Sequence, residues 1–259
     1  MQFKRLLIAR RNLHVSSFFI YIASSPIRKL RRFFIFRAIQ RADTPRERFT
    51  IIYDKNAWGS KESVSGSGST LEKTESIRKL LPVLINEFSI KTILDVPCGD
   101  FNWMQKVNLY GLRYVGGDIV EALILRLQRD FNADNITFHL LDITKDPFPK
   151  SDLVLNRDCL FHLSYQDILA VLDNFLFSGS SYFLTTSHDN DSLFLNANIQ
   201  SGDFRLIDLF ASPFNFPRSF FFEIPEPGEG SLPPRKLYLW NREQIRVAHS
   251  NLENYLGGL

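Results

Sequence analysis

Cysteine is nearly absent from this 259-residue chain: Cys98 and Cys159 are the only two. Two cysteines cannot build a disulfide framework, and they fit a reducing compartment. No Cys/His cluster has zinc spacing, so structural zinc is not an organising feature and no metal is expected. No apolar run reaches about 18 residues, which argues against a transmembrane helix. Acid is missing from residues 1–41, which carry ten Lys or Arg and no Asp or Glu. The remainder holds 21 basic and 28 acidic residues, a net charge of −7. The chain therefore reads as a basic arm on a mildly acidic body. With 44% hydrophobic and 23% charged positions the composition is globular, and the length suits one large α/β domain.

The arm, residues 1–41, interleaves its basic residues with Phe18–Ile22 and Phe33–Phe36. As a basic amphipathic segment it suits contact with a membrane surface. An acid-free, Arg-rich, Ser-containing start also suits an organelle transit peptide, and Val15–Ala23 behind Arg10 and Arg11 suits a secretory signal. The plain alternative is a basic helix packed on the body, or a poorly ordered extension. The expected location is the cytoplasm, with membrane-peripheral or organelle placement as the arm's alternatives.

Residues 42–90 form a second unit. The Ser/Gly run Ser63–Thr70 reads by composition as a linker. Trp58 just before it favours a lid, because linkers seldom need a tryptophan. A helical pattern follows at Leu71, Ile77, Leu80, Leu81, Leu84 and Ile85, with Ser69 or Thr70 able to cap it.

From residue 91 to 259 strand and helix signals alternate. Strands are expected at Thr92–Val96, Tyr114–Asp118, Ile136–Leu141, Asp152–Asn156 and Tyr182–Thr186. A helix is expected at Glu121–Phe131, another after Ser164, and the start of one at Trp103–Lys106. Phe220–Ile224 and Leu237–Trp240 read as a final pair around the loop Pro225–Pro234. Strands separated by helix-length stretches imply right-handed crossovers and a doubly wound, mostly parallel sheet.

Ligands of such sheets bind beyond the strands' carboxyl ends. Asp95, Asp118, Asp142 and Asn156 stand at four of those ends. Gly99 follows the first and lets the backbone turn sharply near a ligand. The dinucleotide pattern G-x-G-x-x-G is absent, so a pyrophosphate seat, and with it a nucleotide-dependent oxidoreductase, is poorly supported. Acid at this place favours a cationic ligand. Asp118 can accept two bonds from a ribose diol, and Asp142 one from an exocyclic amine.

These segments resemble the class I S-adenosylmethionine-dependent methyltransferases. TILDVPCGD resembles their first motif, YVGGD and FHLLDIT the second and third, and DLVLNRDCLFHLS the fourth strand and its loop. Asn56–Thr70 and Gly202–Pro217 resemble blocks of one subgroup. The resemblance covers about residues 54–245. It implies a Rossmann-like seven-stranded sheet with an antiparallel C-terminal pair, and S-adenosyl-L-methionine as cofactor. Carried over residue by residue, the Asp95, Cys98 and Gly99 turn faces the methionine part, with Asn156 bordering it. Asp118 takes the ribose and Asp142 with Ile143 the adenine; apart from the resemblance, Trp58 is expected to close over the cofactor as the lid. Pro97 and Phe101 replace two glycines of the usual first motif. Pro97 cannot adopt positive φ, so the loop has another local shape.

Methyl transfer needs alignment and removal of a proton from the acceptor. Candidate bases follow strands four and five: Asp158 and His162 after the first, His188 and Asp189 after the second. His188 is preferred, because TTSHDND places it in a polar loop beyond a strand end. His162 reads as the more structural of the two histidines, and Cys159 as a small core residue. Asp203, Arg205, Asn215 and Arg218 fall in an aromatic-rich insertion that suits an acceptor wall. The expected acceptor is a small molecule or glycan methylated on oxygen or nitrogen. No specific nucleic acid is expected, since the body is acidic and no N-P-P-Y-like motif occurs. The competing reading is a non-catalytic cofactor-binding or interaction module recruited by the arm.

Overall fold

A computed structural model describes residues 26–191, 193–228 and 232–258. The apolar stretch Val15–Ala23, with residues 1–25 of the arm 1–41 for which targeting or membrane contact is expected, lies outside the described residues. Seven strands form one sheet: β1 Thr92–Asp95, β2 Arg113–Asp118, β3 Ile136–Leu140, β4 Leu153–Asn156, β5 Tyr182–His188, β6 Phe222–Glu226 and β7 Arg235–Asn241. Their spatial order is β3-β2-β1-β4-β5-β7-β6. The first five are parallel, and β7 runs antiparallel between β5 and β6. This is the expected doubly wound sheet with its antiparallel C-terminal pair.

The central strands are apolar on both faces because helices cover both. Ile93, Leu94, Leu153, Val154, Leu155, Phe183 and Leu184 are fully buried. On one side lie α3 (Glu75–Glu87), through Ile77, Leu81 and Leu84, and α4 (Glu121–Phe131), through Leu123, Ile124 and Leu127. On the other lie α5 (Tyr165–Ser178), through Ile168, Val171, Leu172 and Phe175, and α6 (Arg242–Gly257), through Ile245, Ala248 and Leu252. Two further helices precede the sheet: α1 (Pro26–Arg41) and α2 (Pro45–Asp54). Thr44 and Glu47 form a capping box that starts α2. Ser164 caps α5 by accepting from the Asp167 amide, as its position suggests.

Beyond single-residue differences at the ends of β1 to β4, four segments differ from the sequence reading. The leading helix begins at Glu75, not Leu71, because Glu62 holds the Leu71 amide at 2.6 Å outside the helix. Trp103–Lys106 supplies only a single tight turn, Met104–Lys106. The strand β5 continues to His188, since Ser187 and His188 pair with Lys236 and Arg235. The last pair shifts to Phe222–Glu226 and Arg235–Asn241, because two charged residues, Glu226 and Arg235, are buried there as partners. The helix α1 is not amphipathic in the ordinary sense. It turns Ile39 inward and leaves Leu30, Phe33 and Phe34 exposed, so apolar side chains occupy two faces.

Candidate functional site

The order of strands reverses between β1 and β4, and a crevice opens at their carboxyl ends. The chain leaves β1 at Asp95, passes a cis Val96–Pro97 bond, and turns with positive φ at Gly99 (56°) and Phe101 (62°). The turn is thus made after Pro97 rather than at it. A side chain at position 99 would set a Cβ 2.4 Å from Ser65 Oγ, so glycine is required there.

Ser65 belongs to a strap that folds over this turn. Asp100 holds it: Oδ1 accepts from Ser63 Oγ at 3.0 Å and Ser65 Oγ at 3.3 Å, and Oδ2 from the Val64 amide at 2.8 Å. The Asp100 amide donates back to Ser65 Oγ at 2.9 Å. Asn102 Nδ2 donates to the Ser69 carbonyl and to Glu62. The Ser/Gly stretch is therefore a bonded strap, not a linker.

Strap, turn and strand ends enclose a cavity of about 1090 Å³, counting the space open to solvent. Asp142 and Ile143 line it beyond β3, Asp118 at β2, Asp95, Cys98 and Gly99 at β1, and Asp158 and His162 beyond β4, with Trp58 from the strap side. Pro45, Phe49 and Tyr53 wall it from one face of α2. Asn156 does not line it: the side chain is fully buried, donating Nδ2 to the Val96 carbonyl at 2.6 Å and accepting from Thr185 Oγ1. The amide instead ties the end of β4 to β1 and β5.

The carboxylates have distinct surroundings. Burial pushes Asp95 up to about 7, against the Tyr114 hydroxyl that donates at 2.7 Å and the charge of Arg157. Burial also pushes Asp118 up to about 6, against the Val120 and Gly99 amides that donate at 3.0 and 3.3 Å. Asp142 accepts from the Thr144 amide and hydroxyl, and Lys145 lies 3.5 Å away. Burial raises Asp158, but Arg157 and Arg235 outweigh it and hold the carboxyl below its ordinary range. Burial pushes the Cys98 thiol far up and Cys159 to about 12, so neither is a thiolate nucleophile.

Beside the crevice lies a closed set of buried charges. Arg157 pairs bidentately with Glu226 at 2.9 and 3.0 Å, and contacts Asp158 at 3.2 Å. Arg235 bridges Asp158 at 2.9 Å and Glu226 at 3.2 Å. The two guanidiniums and two carboxylates balance, as buried charges require. Arg157 Nη2 also donates to the Gly68 carbonyl at 2.8 Å, so the set anchors the strap's far end. Its guanidinium stands 5.6 Å from the centre of the Trp103 ring, another wall of the cavity.

The two histidines exchange the places expected of them. His188 is the last residue of β5, buried and not in a polar loop, and it does not line the cavity. Its Nδ1 accepts from the Ile207 amide at 3.3 Å, so in the neutral ring the proton is on Nε2. His162 sits in the single turn Leu160–His162 and lines the cavity. Its Nδ1 lies 2.7 Å from the Asp203 carbonyl. Burial holds both rings neutral, each at about 4. Trp58 lies against His162, ring centres 5.5 Å apart.

Trp58 and His162 also border a second cavity of about 680 Å³. Ile35, Phe36 and Ile39 of α1, Ile52 of α2 and Phe204 give it apolar walls, with Arg32 and Asp203 as its charged members. The insertion thus supplies Asp203 and Phe204 as a wall. Arg205 instead braces the His162 turn, donating to the Leu163 and Leu160 carbonyls at 2.7 and 3.2 Å. Asn215 and Arg218 line neither cavity.

Asp100, Glu226, Arg235 and the α2 face were not legible in the sequence as site residues. The spacing of Pro45, Phe49 and Tyr53, four apart, was a usable signal for a helix face. The partnership of Glu226 with Arg157 and Arg235 depends on strand register, which no local pattern carries.

No family model and no curated protein matches the sequence. Solved structures do match in fold. The N-methyltransferase NodS from Bradyrhizobium japonicum WM9, in complex with S-adenosyl-L-homocysteine, aligns with TM-score 0.55 at 13% identity, over 73% of this chain and 97% of that one. The Burkholderia thailandensis 1,6-didemethyltoxoflavin-N1-methyltransferase, with 1,6-didemethyltoxoflavin and S-adenosylhomocysteine bound, aligns at 0.54 and 15%, over 85% and 91%. Magnesium protoporphyrin IX methyltransferase from Synechocystis PCC 6803, with bound SAH, aligns at 0.50 and 14%, over 81% and 93%. At such identity the likeness is one of fold: the chain shares the Rossmann-like fold of these structures.

Proposed function

We propose that the chain is an S-adenosylmethionine-dependent methyltransferase acting on an oxygen or nitrogen of a small-molecule or glycan acceptor. One observation carries the reading: Asp142, Asp118 and Asp95 follow the carboxyl edge of β3, β2 and β1 within one cavity, around a single glycine turn. Acid along the whole edge fits a cationic nucleoside and repels a pyrophosphate. The fold neighbours that hold S-adenosylhomocysteine support the same cofactor.

When bound, the cofactor supplies a methyl group already activated on a sulfonium. The chain's own residues then bind, orient and move a proton. Asp118 takes the ribose hydroxyls; each carboxylate oxygen accepts more than one bond, so the Gly99 and Val120 amides leave capacity. Asp142 and Ile143 hold the base end. Asp95 and the Gly99 turn hold the cationic end, and the strap with Trp58 excludes water.

His162, in place of His188, is the acceptor's base. A carbonyl only accepts, so the Asp203 bond keeps the proton on Nδ1 and leaves the lone pair on Nε2. The charge of Asp158 favours the imidazolium as the proton arrives. Asp158 is a positioning residue, because its carboxylate is committed to Arg157 and Arg235. The acceptor occupies the second cavity, which shares the Trp58 and His162 walls with the first.

The test is transfer of label from methyl-labelled cofactor to a panel of hydroxylated, amino and glycan acceptors. Label should appear in at least one class and depend on His162. Intact cofactor binding without transfer to any of them would favour the binding-module reading.

A further inference from the structure

The helix α1 has a second apolar face that the body does not use. Positions 30, 33, 34, 37 and 41 fall on one stripe of a helix. Leu30, Phe33 and Phe34 on that stripe are 57%, 41% and 61% exposed. Arg31, Arg37 and Arg41 stand exposed on and beside it. Arg37 lies over the Phe33 ring, 5.6 Å from its centre. Arg31 donates to the Lys55 carbonyl, which steadies its guanidinium without neutralising it. The nearest acids in sequence are Asp43 and Glu47, past the end of α1, and Glu47 is spent on the α2 capping box.

We propose that this outward face docks the protein on an anionic lipid surface. Large apolar side chains interleaved with arginines, free of acid, match the boundary between acyl chains and negative headgroups. Among the described residues no helix is long and apolar enough to cross a membrane, so α1 lies on the bilayer. Charge decides the occupant. A second copy would bring two arginine-rich faces together, whereas an anionic headgroup layer complements them. The opposite face of α1 walls the second cavity through Ile35, Phe36 and Ile39, so docking sets that cavity beside the bilayer. The proposal stands apart from the methyltransferase reading and survives its failure.

The experiment is co-sedimentation of the full chain with vesicles of phosphatidylcholine mixed with phosphatidylserine, against phosphatidylcholine alone. The chain should sediment with the mixed vesicles and lose binding as salt rises. Changing Arg31, Arg37 and Arg41 to Gln should weaken partitioning by about five-fold per charge. Changing Leu30, Phe33 and Phe34 to Ser should weaken it by roughly ten-fold or more. All six side chains are exposed, so an unchanged melting temperature certifies folded variants. The proposal is overturned if the chain ignores the mixed vesicles. It is equally overturned if both variants bind as the parent does, which would assign binding to residues 1–25. A dimer that the serine variant dissolves would give the face to a second copy instead.

Discussion

The Asp203 carbonyl oxygen lies 2.7 Å from Nδ1 of His162 and thereby fixes which ring nitrogen can take a proton. The bond is part of a clamp. The Gly202 amide donates to the His162 carbonyl at 2.8 Å, and the Arg205 amide to the Phe161 carbonyl at 3.1 Å. An insertion distant in sequence thus holds the turn after β4. His162→Gln should keep cofactor affinity and lower turnover by about 10²–10⁴, the usual effect of removing a general base. Steady-state rates beside calorimetric affinities check this. Unchanged turnover would remove His162 from the role.

Releasing the strap should cost affinity. Asp100→Ala removes the acceptors of Ser63 Oγ, Ser65 Oγ and the Val64 amide. Cofactor binding should weaken by about 1–3 kcal/mol, and amide exchange at residues 63–66 should accelerate. Exchange at Val64 as slow as in the parent would mean that other contacts hold the strap.

Asp118→Ala should weaken cofactor binding by about 2–4 kcal/mol through loss of charge-assisted ribose bonds. The domain should remain folded, since the Gly99 and Val120 amides lose their acceptor beside a cavity that water can enter. Normal binding by a folded variant would refute the ribose assignment.

The pH dependence has a definite sign. Asp95 at about 7 and Asp118 at about 6 hold protons in the free protein that a bound cation would expel. Affinity should therefore rise with pH through 6 and 7, with proton release visible by calorimetry in buffers of different ionisation heat. Stability runs the other way for Asp95. Its folded value lies above its ordinary 3.8, so its contribution is full below that value and is lost as pH rises through about 7. Asp95→Asn should gain in melting temperature relative to the parent between pH 4 and 8. A constant difference across that range would contradict the assignment.

The sheet was legible because its strands are short β-branched and apolar runs between helix-length stretches. The Asp95, Asp118 and Asp142 edge was legible because each acid ends such a run. The parts that failed depend on long-range pairing. Nothing near His188 reveals that β5 continues beneath it, since that follows from the pairing with Arg235. Nothing in LFHLS reveals the Asp203 carbonyl 41 residues on. By composition alone the strap reads equally as a linker, because serine and glycine serve as flexible chain and as donors to one carboxylate; only Trp58 favours the lid.

Titration calorimetry of the folded full-length chain with S-adenosylmethionine, S-adenosylhomocysteine and NAD reaches the central claim most directly. One-to-one binding of both sulfur nucleosides is expected, lost or greatly weakened in Asp118→Ala, with NAD far weaker. Absence of heat with either sulfur nucleoside, in protein shown to be folded, would contradict the claim.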